Sequence, residues 1–405
     1  MYVSIIMPSY NRYPLNLYSL YALEKQNFDL TKMEVILIDD ASTDETPLLK
    51  NFQPLYHFKY IRNKKKLGTA SARNKGIKKA IGKIIIFLDS EMVVDPEYVN
   101  NHYRLHHRNT NLVVIGGKKQ KLLTHLYPDF DAEQIKDVSQ IVKKSQLVKD
   151  KLRNMTKKKV NYKNIAAMIR KLKKPVPLLT KEDIHVFDKL LPYLVPYKKN
   201  AGLLNYLREN FSTSPIAWMA CGGNLSLKKD LINNIGGYDE DFKGWGPEDA
   251  EFAYRLYKAG AKFFIDYELE RFHQEHPKQQ NKVSSDTMNW ILFQDKHPDL
   301  AVCIRALNLI KKNDYALMDN VMKEYLAVIN DYPGEFQQFF NSIIILLQQI
   351  RILKLENKPI INLMQNSGIE LDEERKKQIY KEREMIKSYG KFNNLISLFD
   401  FLSEK

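Results

Sequence analysis

Three short stretches of the chain carry residues whose types and spacing suit chemistry. GWGPEDAEF, residues 244–252, sets Glu248, Asp249 and Glu251 directly after an indole flanked by glycines. A carboxylate held near a nucleophile can take its proton, and Trp245 offers a flat face on which a ring can pack. Asp249 is therefore a candidate acid or base, with Glu248 beside it, and Gly244 and Gly246 let the backbone bend close to a ligand. A plainer reading competes, because carboxylates also favour the exposed N–H groups of a helix's first turn. Glu251, four residues before Arg255, fits a surface ion pair of the ordinary kind.

LDSEMVV, residues 88–94, ends an apolar run on Asp89-Ser90-Glu91. Residues one apart on a strand project to the same side. Hard divalent cations take one or two carboxylates together with phosphate oxygens, so the spacing suits a metal beside a diphosphate. The same triplet also serves in solvated turns. FHQEHP, residues 272–277, adds His273 and His276, residue types that hydrogen-bond at surfaces as well as ligate.

These groups need elements to position them. YVSIIM (2–7), EVILI (34–38), FKYIRN (58–63) and KIIIFLD (83–89) read as short apolar or β-branched strands, and Leu15–Leu23 and SARNKGIKKAI read as helices between them. Near-continuous apolar strands alternating with helices predict an α/β fold with a mostly parallel sheet covered on both faces. Ligands gather at the carboxyl ends of such strands, where Ser9, Asn11, Asp39, Asp40, Asp89 and Glu91 fall. From about residue 286 the pattern is helical, punctuated by Pro298, Pro333 and Pro359.

The chain has 405 residues, 44% of them hydrophobic, enough for a large core. Cys221 and Cys303 are the two cysteines, so no disulfide framework is expected and a reducing, cytoplasmic compartment is. No window approaches the roughly 18 apolar residues of a spanning helix. The formal net charge of +15 is unevenly placed: Lys118 to Lys174 holds 17 Lys and Arg against 5 Asp and Glu. That segment reads as a basic helical insertion.

VSIIMPSYNR, VILIDDASTDET, GTASARNKG and FLDSEMVV, in that order, resemble the family 2 glycosyltransferases of GT-A fold. CGGNLSLKKDLINNIGGYDEDFKGWGPEDAEFAYRLYKAGAKF (221–263) resembles the acceptor-side module of galactosyltransferase-type and chondroitin-polymerase-type enzymes. The likeness covers about residues 2–117 and 214–277. It implies a Rossmann-like nucleotide-sugar domain whose halves are 1–117 and 211–285, with an insertion at 118–210 and a helical region at 286–405. The implied donor is a UDP-sugar, with Mn2+ or Mg2+ as the ion and direct displacement with inversion as the mechanism.

Carried over residue by residue, the resemblance implies that Pro8, Ser9, Tyr10, Asn11, Arg12, Asp39, Asp40, Arg73 and Ser90 hold the nucleotide. Asp89 and Glu91 form the metal motif, completed by His273, although Asp usually stands where this chain has Glu91. Trp245, Gly222, Gly223, Asn224, Gly246 and His276 line the sugar and acceptor, Asp249 is the general base, and Glu248 orients the acceptor. A saccharide, surface polymer or peptide is the implied acceptor.

The basic insertion admits three roles: a solvated face, a lid for an anionic acceptor, or a peripheral contact with anionic lipid at the inner membrane face. Nucleic acid is not expected as a partner, because Tyr127, Phe130 and Tyr162 are too sparse to form a stacking platform. The C-terminal helices pack on the catalytic domain or form a homodimer. A protein that binds nucleotide or carbohydrate without turnover, or a scaffold at a membrane surface, is the alternative to an enzyme.

Overall fold

The computed structural model describes residues 1–156, 160–196, 201–278, 282–311 and 314–405. Residues 157–159 and 197–200 of the basic segment lie outside them. The chain divides into two units, one of 1–200, 221–240 and 258–280, the other of 201–220, 241–257 and 281–405. The segment expected as an acceptor half, 211–285, is thus shared between them.

The first unit is built on eleven strands: β1 (Val3–Ser9), β2 (Met33–Asp39), β3 (His57–Arg62), β4 (Ile84–Phe87), β5 (Met92–Val94), β6 (Leu112–Leu122), β7 (His125–Leu126), β8 (Val176–Pro177), β9 (Leu194–Pro196), β10 (Leu225–Lys228) and β11 (Lys262–Gln274). Nine form one sheet in the order β3-β2-β1-β4-β10-β6-β11-β5, with β9 paired to β6. β1, β2, β3 and β4 run parallel, as do β6 and β11; β10, β5 and β9 run antiparallel to their neighbours. The expected α/β architecture is present, with a mixed sheet and an all-helical C-terminal region. Every residue of β2 and β4 is buried, which is why those runs are apolar without alternation.

Helices α1 (Leu15–Leu23), α2 (Thr69–Lys79), α3 (Tyr98–Arg108) and α4 (Ala132–Lys144) belong to this unit. The basic segment carries its own apolar core: Phe130, Val138, Ile141, Val142, Val148 and Leu152 cluster with Tyr18 of α1, Val93 of β5 and Phe272 of β11. Lys136, Lys143, Lys144, Lys163 and Lys171 are exposed on the outside of this core. Among the described residues, no helix is long and apolar enough to cross a membrane.

Under α3 lies a polar knot. His102 Nδ1 is 2.7 Å and His106 Nε2 2.6 Å from the same Ser226 Oγ on β10, and both rings are fully buried. One hydroxyl donates to one ring and accepts from the other, so the arrangement suits two neutral imidazoles. Burial pushes His106 down to about 4, helped by the Lys228 charge, and His125 down to about 4; His102 falls well below its usual value.

Because these folded-state values lie below 6.5, the unfolded chain binds more protons between pH 6.5 and 4, and stability falls as pH drops through that window. Each histidine contributes up to about 1.4 kcal/mol per pH unit. Asp95, pushed up to about 6 by burial, opposes them in part. Urea unfolding followed by far-UV circular dichroism should show a lower midpoint at pH 5 than at pH 7.5, and His106→Gln should flatten that dependence.

The second unit is helical, with an aromatic centre in which Trp218 packs edge-on against Tyr254 and Phe293, and Phe242 against Phe293. All three tryptophans, Trp218, Trp245 and Trp290, belong to it.

Candidate active site

Parallel pairing brings the carboxyl ends of β1, β2 and β3 to one edge: Ser9 pairs with Asp39, and Asp39 with Arg62. The loops there are stitched by side chains. Asn11 adopts φ +52°, a region that asparagine tolerates better than most residues. Its N–H donates to Ser42 Oγ at 2.9 Å, and its Oδ1 accepts from Thr43 N at 2.7 Å. Ser9 Oγ accepts from Asn16 at 3.1 Å, and Pro8 sits within β1.

Asp39, fully buried, accepts from Ser42 N at 2.8 Å, from Arg62 at 2.7 Å and from the Tyr60 hydroxyl. Asp40 accepts from Asn63 and from the Leu67 and Gly68 amides, each at 2.8 Å. Both carboxylates shape the loops around the edge. Lys66 Nζ lies 4.0 Å from the centre of the Tyr10 ring, inside cation–π range.

Antiparallel pairing of β10 with β4 sets Leu225 opposite Phe87, which carries Gly223 and Asn224 to Asp89. Asn224 Oδ1 accepts the Asp89 N–H at 2.9 Å, and its Nδ2 donates to Asp89 Oδ2 at 2.9 Å. Buried Arg73 reaches Asp89 Oδ1 at 3.2 Å and stacks over Tyr238. A Cβ on Gly223 would lie 2.3 Å from Arg73 Nη2 and 2.6 Å from Asp89 Oδ1, so a side chain there would displace the Arg73–Asp89 pair. Gly222 faces open space.

β5 and β11 pair with Met92 opposite His273, so Glu91 meets Gln274, whose N–H donates to the Glu91 carbonyl at 3.0 Å. This register converges three donors. His273 Nε2 is 4.0 Å and His276 Nε2 3.9 Å from the same oxygen, Glu91 Oε1, while Arg12 Nε is 3.4 Å from Oε2. The ligand atoms of Glu91, His273 and His276 all lie within 4.8 Å of one another.

The other ring nitrogens point away from this centre: His276 Nδ1 is 3.0 Å from the Pro277 carbonyl and His273 Nδ1 3.5 Å from Glu275 Oε1. His276 Nε2 is buried with no hydrogen-bond partner among the described residues, as a waiting ligand atom would be. Burial would raise the Glu91 carboxyl, but His276, Arg12 and His273 outweigh it and hold the group below the usual carboxylate range. Two imidazoles and a carboxylate suit a divalent ion. Buried Ser90 supports the turn, its carbonyl accepting from Ser19 Oγ at 2.8 Å.

The arrangement differs from the sequence expectation in three respects. Asp89 and Glu91 do not converge on one point: the chain turns at Ser90, Asp89 is hydrogen-bonded by Arg73 and Asn224, and the clustered ligand atoms are those of Glu91, His273 and His276. His276, expected at the sugar, stands with His273 at Glu91 instead. Arg73, expected at the nucleotide, is buried and directed at Asp89 and Tyr238.

In the second unit, Gly244 (φ +79°) and Gly246 (φ +136°) take conformations open to glycine, and Trp245 between them is 54% exposed. Asn289 holds the loop by donating to the Lys243 carbonyl at 2.8 Å. Glu248 and Asp249, both half-buried, open the helix Glu248–Lys258. Glu251 is no surface residue: its side chain is 1% exposed and meets Arg255 Nε at 2.5 Å and His297 Nε2 at 3.0 Å. The buried groups behind the histidines, Gln134 and Glu275, were not singled out in the sequence; DAEQ at 131–134, a capping-box pattern, was the available signal for the first.

Residues 4–139 match the family model described as glycosyl transferase family 2, and residues 207–278 match that of the N-terminal domain of galactosyltransferase. An uncharacterized glycosyltransferase, YfnE, of Bacillus subtilis (strain 168) is 26% identical over 352 residues, covering 82% of this chain and 84% of the relative. The chondroitin synthase of Escherichia coli is 26% identical over 73% of this chain, and the hyaluronan synthase of Pasteurella multocida 28% over 70%. This chain spans only 38% and 26% of those two longer proteins. The first model takes in the loops after β1 and β2, Arg73 and the Asp89–Glu91 turn, and the second takes in Asn224, the GWGPED loop and both histidines, so the candidate site lies within segments that match glycosyltransferase family models.

Proposed function

We propose that this protein transfers a sugar from a UDP-sugar donor to a hydroxyl of a saccharide, surface polymer or peptide acceptor, with inversion, using a divalent ion held by Glu91, His273 and His276. The observation that carries the reading is the convergence of two Nε2 atoms on one oxygen of Glu91, beside a strand edge built of polar residues. The names of the two synthases among the relatives support a saccharide acceptor.

An ion bound there would neutralise charge on the departing diphosphate. Asn11, Asp39 and Asp40 fix the loops against which the nucleotide lies, and Arg73 with Asn224 holds Asp89 facing it. Asp249 takes the proton of the acceptor hydroxyl as its oxygen bonds to the anomeric carbon and the bond to the diphosphate breaks. Attack from the side opposite the leaving group inverts that carbon. Trp245 gives a sugar ring a surface to stack on.

Two imidazole ligands favour a transition ion over Mg2+, which prefers an all-oxygen octahedron. Incubation with a panel of UDP-sugars should release UDP from one of them with Mn2+, more slowly with Mg2+, and not with chelator. Release that persists in chelator would exclude the metal-dependent reading.

A further inference from the structure

We propose that Glu275 and Gln134 are positioning residues of the metal centre, so that helix α4 of the basic segment serves as its outer support. This rests on the assignment of Glu91, His273 and His276 as ligands. Gln134 is the third residue of α4, and its side-chain Oε1 is engaged by the Asp131 N–H at 3.1 Å in a capping box. That fixes which way its amide points. Its Nε2 then donates to the His276 carbonyl at 2.7 Å and to Glu275 Oε2 at 3.2 Å.

Glu275 is 5% exposed and lies between two structures. Its Oε1 is 3.5 Å from His273 Nδ1, and its Oε2 is 3.7 Å from Lys121, which is tied at 2.7 Å to Asp137. Gln134 and Asp137, three apart, share one face of α4. The parallel register of β6 and β11 sets Lys121 beside His273, and the Glu275 N–H donates to the Leu122 carbonyl at 2.9 Å.

His273 Nδ1 makes no hydrogen bond among the described residues, and the Glu275 carboxylate 3.5 Å away is the acceptor placed to favour the tautomer that carries its proton there, leaving the Nε2 lone pair for the ion. At His276 the Pro277 carbonyl does the same for Nδ1, while Gln134 fixes the backbone that carries the ring. Each ligand histidine therefore has its orientation set from behind, once by its own strand's continuation and once by a residue that α4 anchors. The basic segment, whatever its lysines meet, is thereby joined to the reaction centre.

Mn2+ binding to the full chain, read from the free-ion electron paramagnetic resonance signal, tests this. Glu275→Ala and Gln134→Met should each weaken Mn2+ about 10–100-fold, and Glu275→Gln, which keeps an acceptor at Nδ1 in the same volume, should recover part of the loss. Spin-echo modulation from imidazole nitrogen should weaken in Glu275→Ala in the same order. Affinities within twofold of wild type for Glu275→Ala and Gln134→Met alike, with Glu91→Ala unable to bind, would overturn the positioning role alone. Unchanged Mn2+ affinity in Glu91→Ala would instead overturn the ligand assignment on which it rests.

Discussion

Asp249→Asn is expected to lower sugar transfer about 10²–10⁴-fold while leaving donor binding near the wild-type level. The substitution keeps shape and removes the proton acceptor, so the loss should fall on kcat and not on KM for the UDP-sugar. A variant within tenfold of wild type would exclude Asp249 as the base. Two residues along the same helix the outcome should differ in kind. Glu251 is buried against Arg255 and His297, and Glu251→Ala removes the carboxylate that both face. About 3–5 kcal/mol of stability is at risk there, so the expected result is a poorly folded protein. Neighbouring carboxylates in one motif thus separate by melting temperature and kcat measured together.

Glu91→Gln should remove most metal-dependent turnover, by about 10²–10³-fold, the size of effect seen when one electrostatic stabiliser of a developing charge is lost. The two Nε2 atoms remain, but the oxygen they share loses its charge, and Arg12 loses its partner at 3.4 Å. Mn2+ should bind more weakly and no longer raise the melting temperature. Glu91→Asp should fall between, because the shorter chain keeps the charge but withdraws it from rings already 3.9 and 4.0 Å away. Wild-type turnover in Glu91→Gln would remove the metal from the mechanism.

The chemistry of this edge was partly legible before any coordinates. β1, β2 and β4 announce themselves because strands buried on both faces must be apolar along their whole length, and polar residues that follow such runs mark the edge where ligands gather. Glu91 and His273 could be named from short motifs. What spacing cannot express is register across distant strands. Only the pairing of Met92 with His273 shows that His276 joins the cluster while Asp89 turns toward Arg73 and Asn224.

The same limit hid Gln134, which lies 142 residues from the backbone carbonyl it holds. It also hid the neutral histidine pair around Ser226, since nothing local to α3 tells that a serine 120 residues on will sit between two rings. Glu251 misled for a related reason. An i, i+4 pair with Arg255 looks the same in sequence whether it faces water or a half-buried His297.

The distribution of indoles gives the molecule an optical asymmetry. With Trp218, Trp245 and Trp290 all in one unit, intrinsic emission is blind to the strands that carry Asp89 and Glu91 and sees only the helical part with the GWGPED loop. Denaturation followed by indole emission and by ellipticity will superimpose only where both units melt as a single cooperative body. A gap between the curves would measure their independence directly, without label or engineered probe. Solvated Trp245 would meanwhile report a sugar stacking on it as quenching or a blue shift over the emission of the two buried indoles.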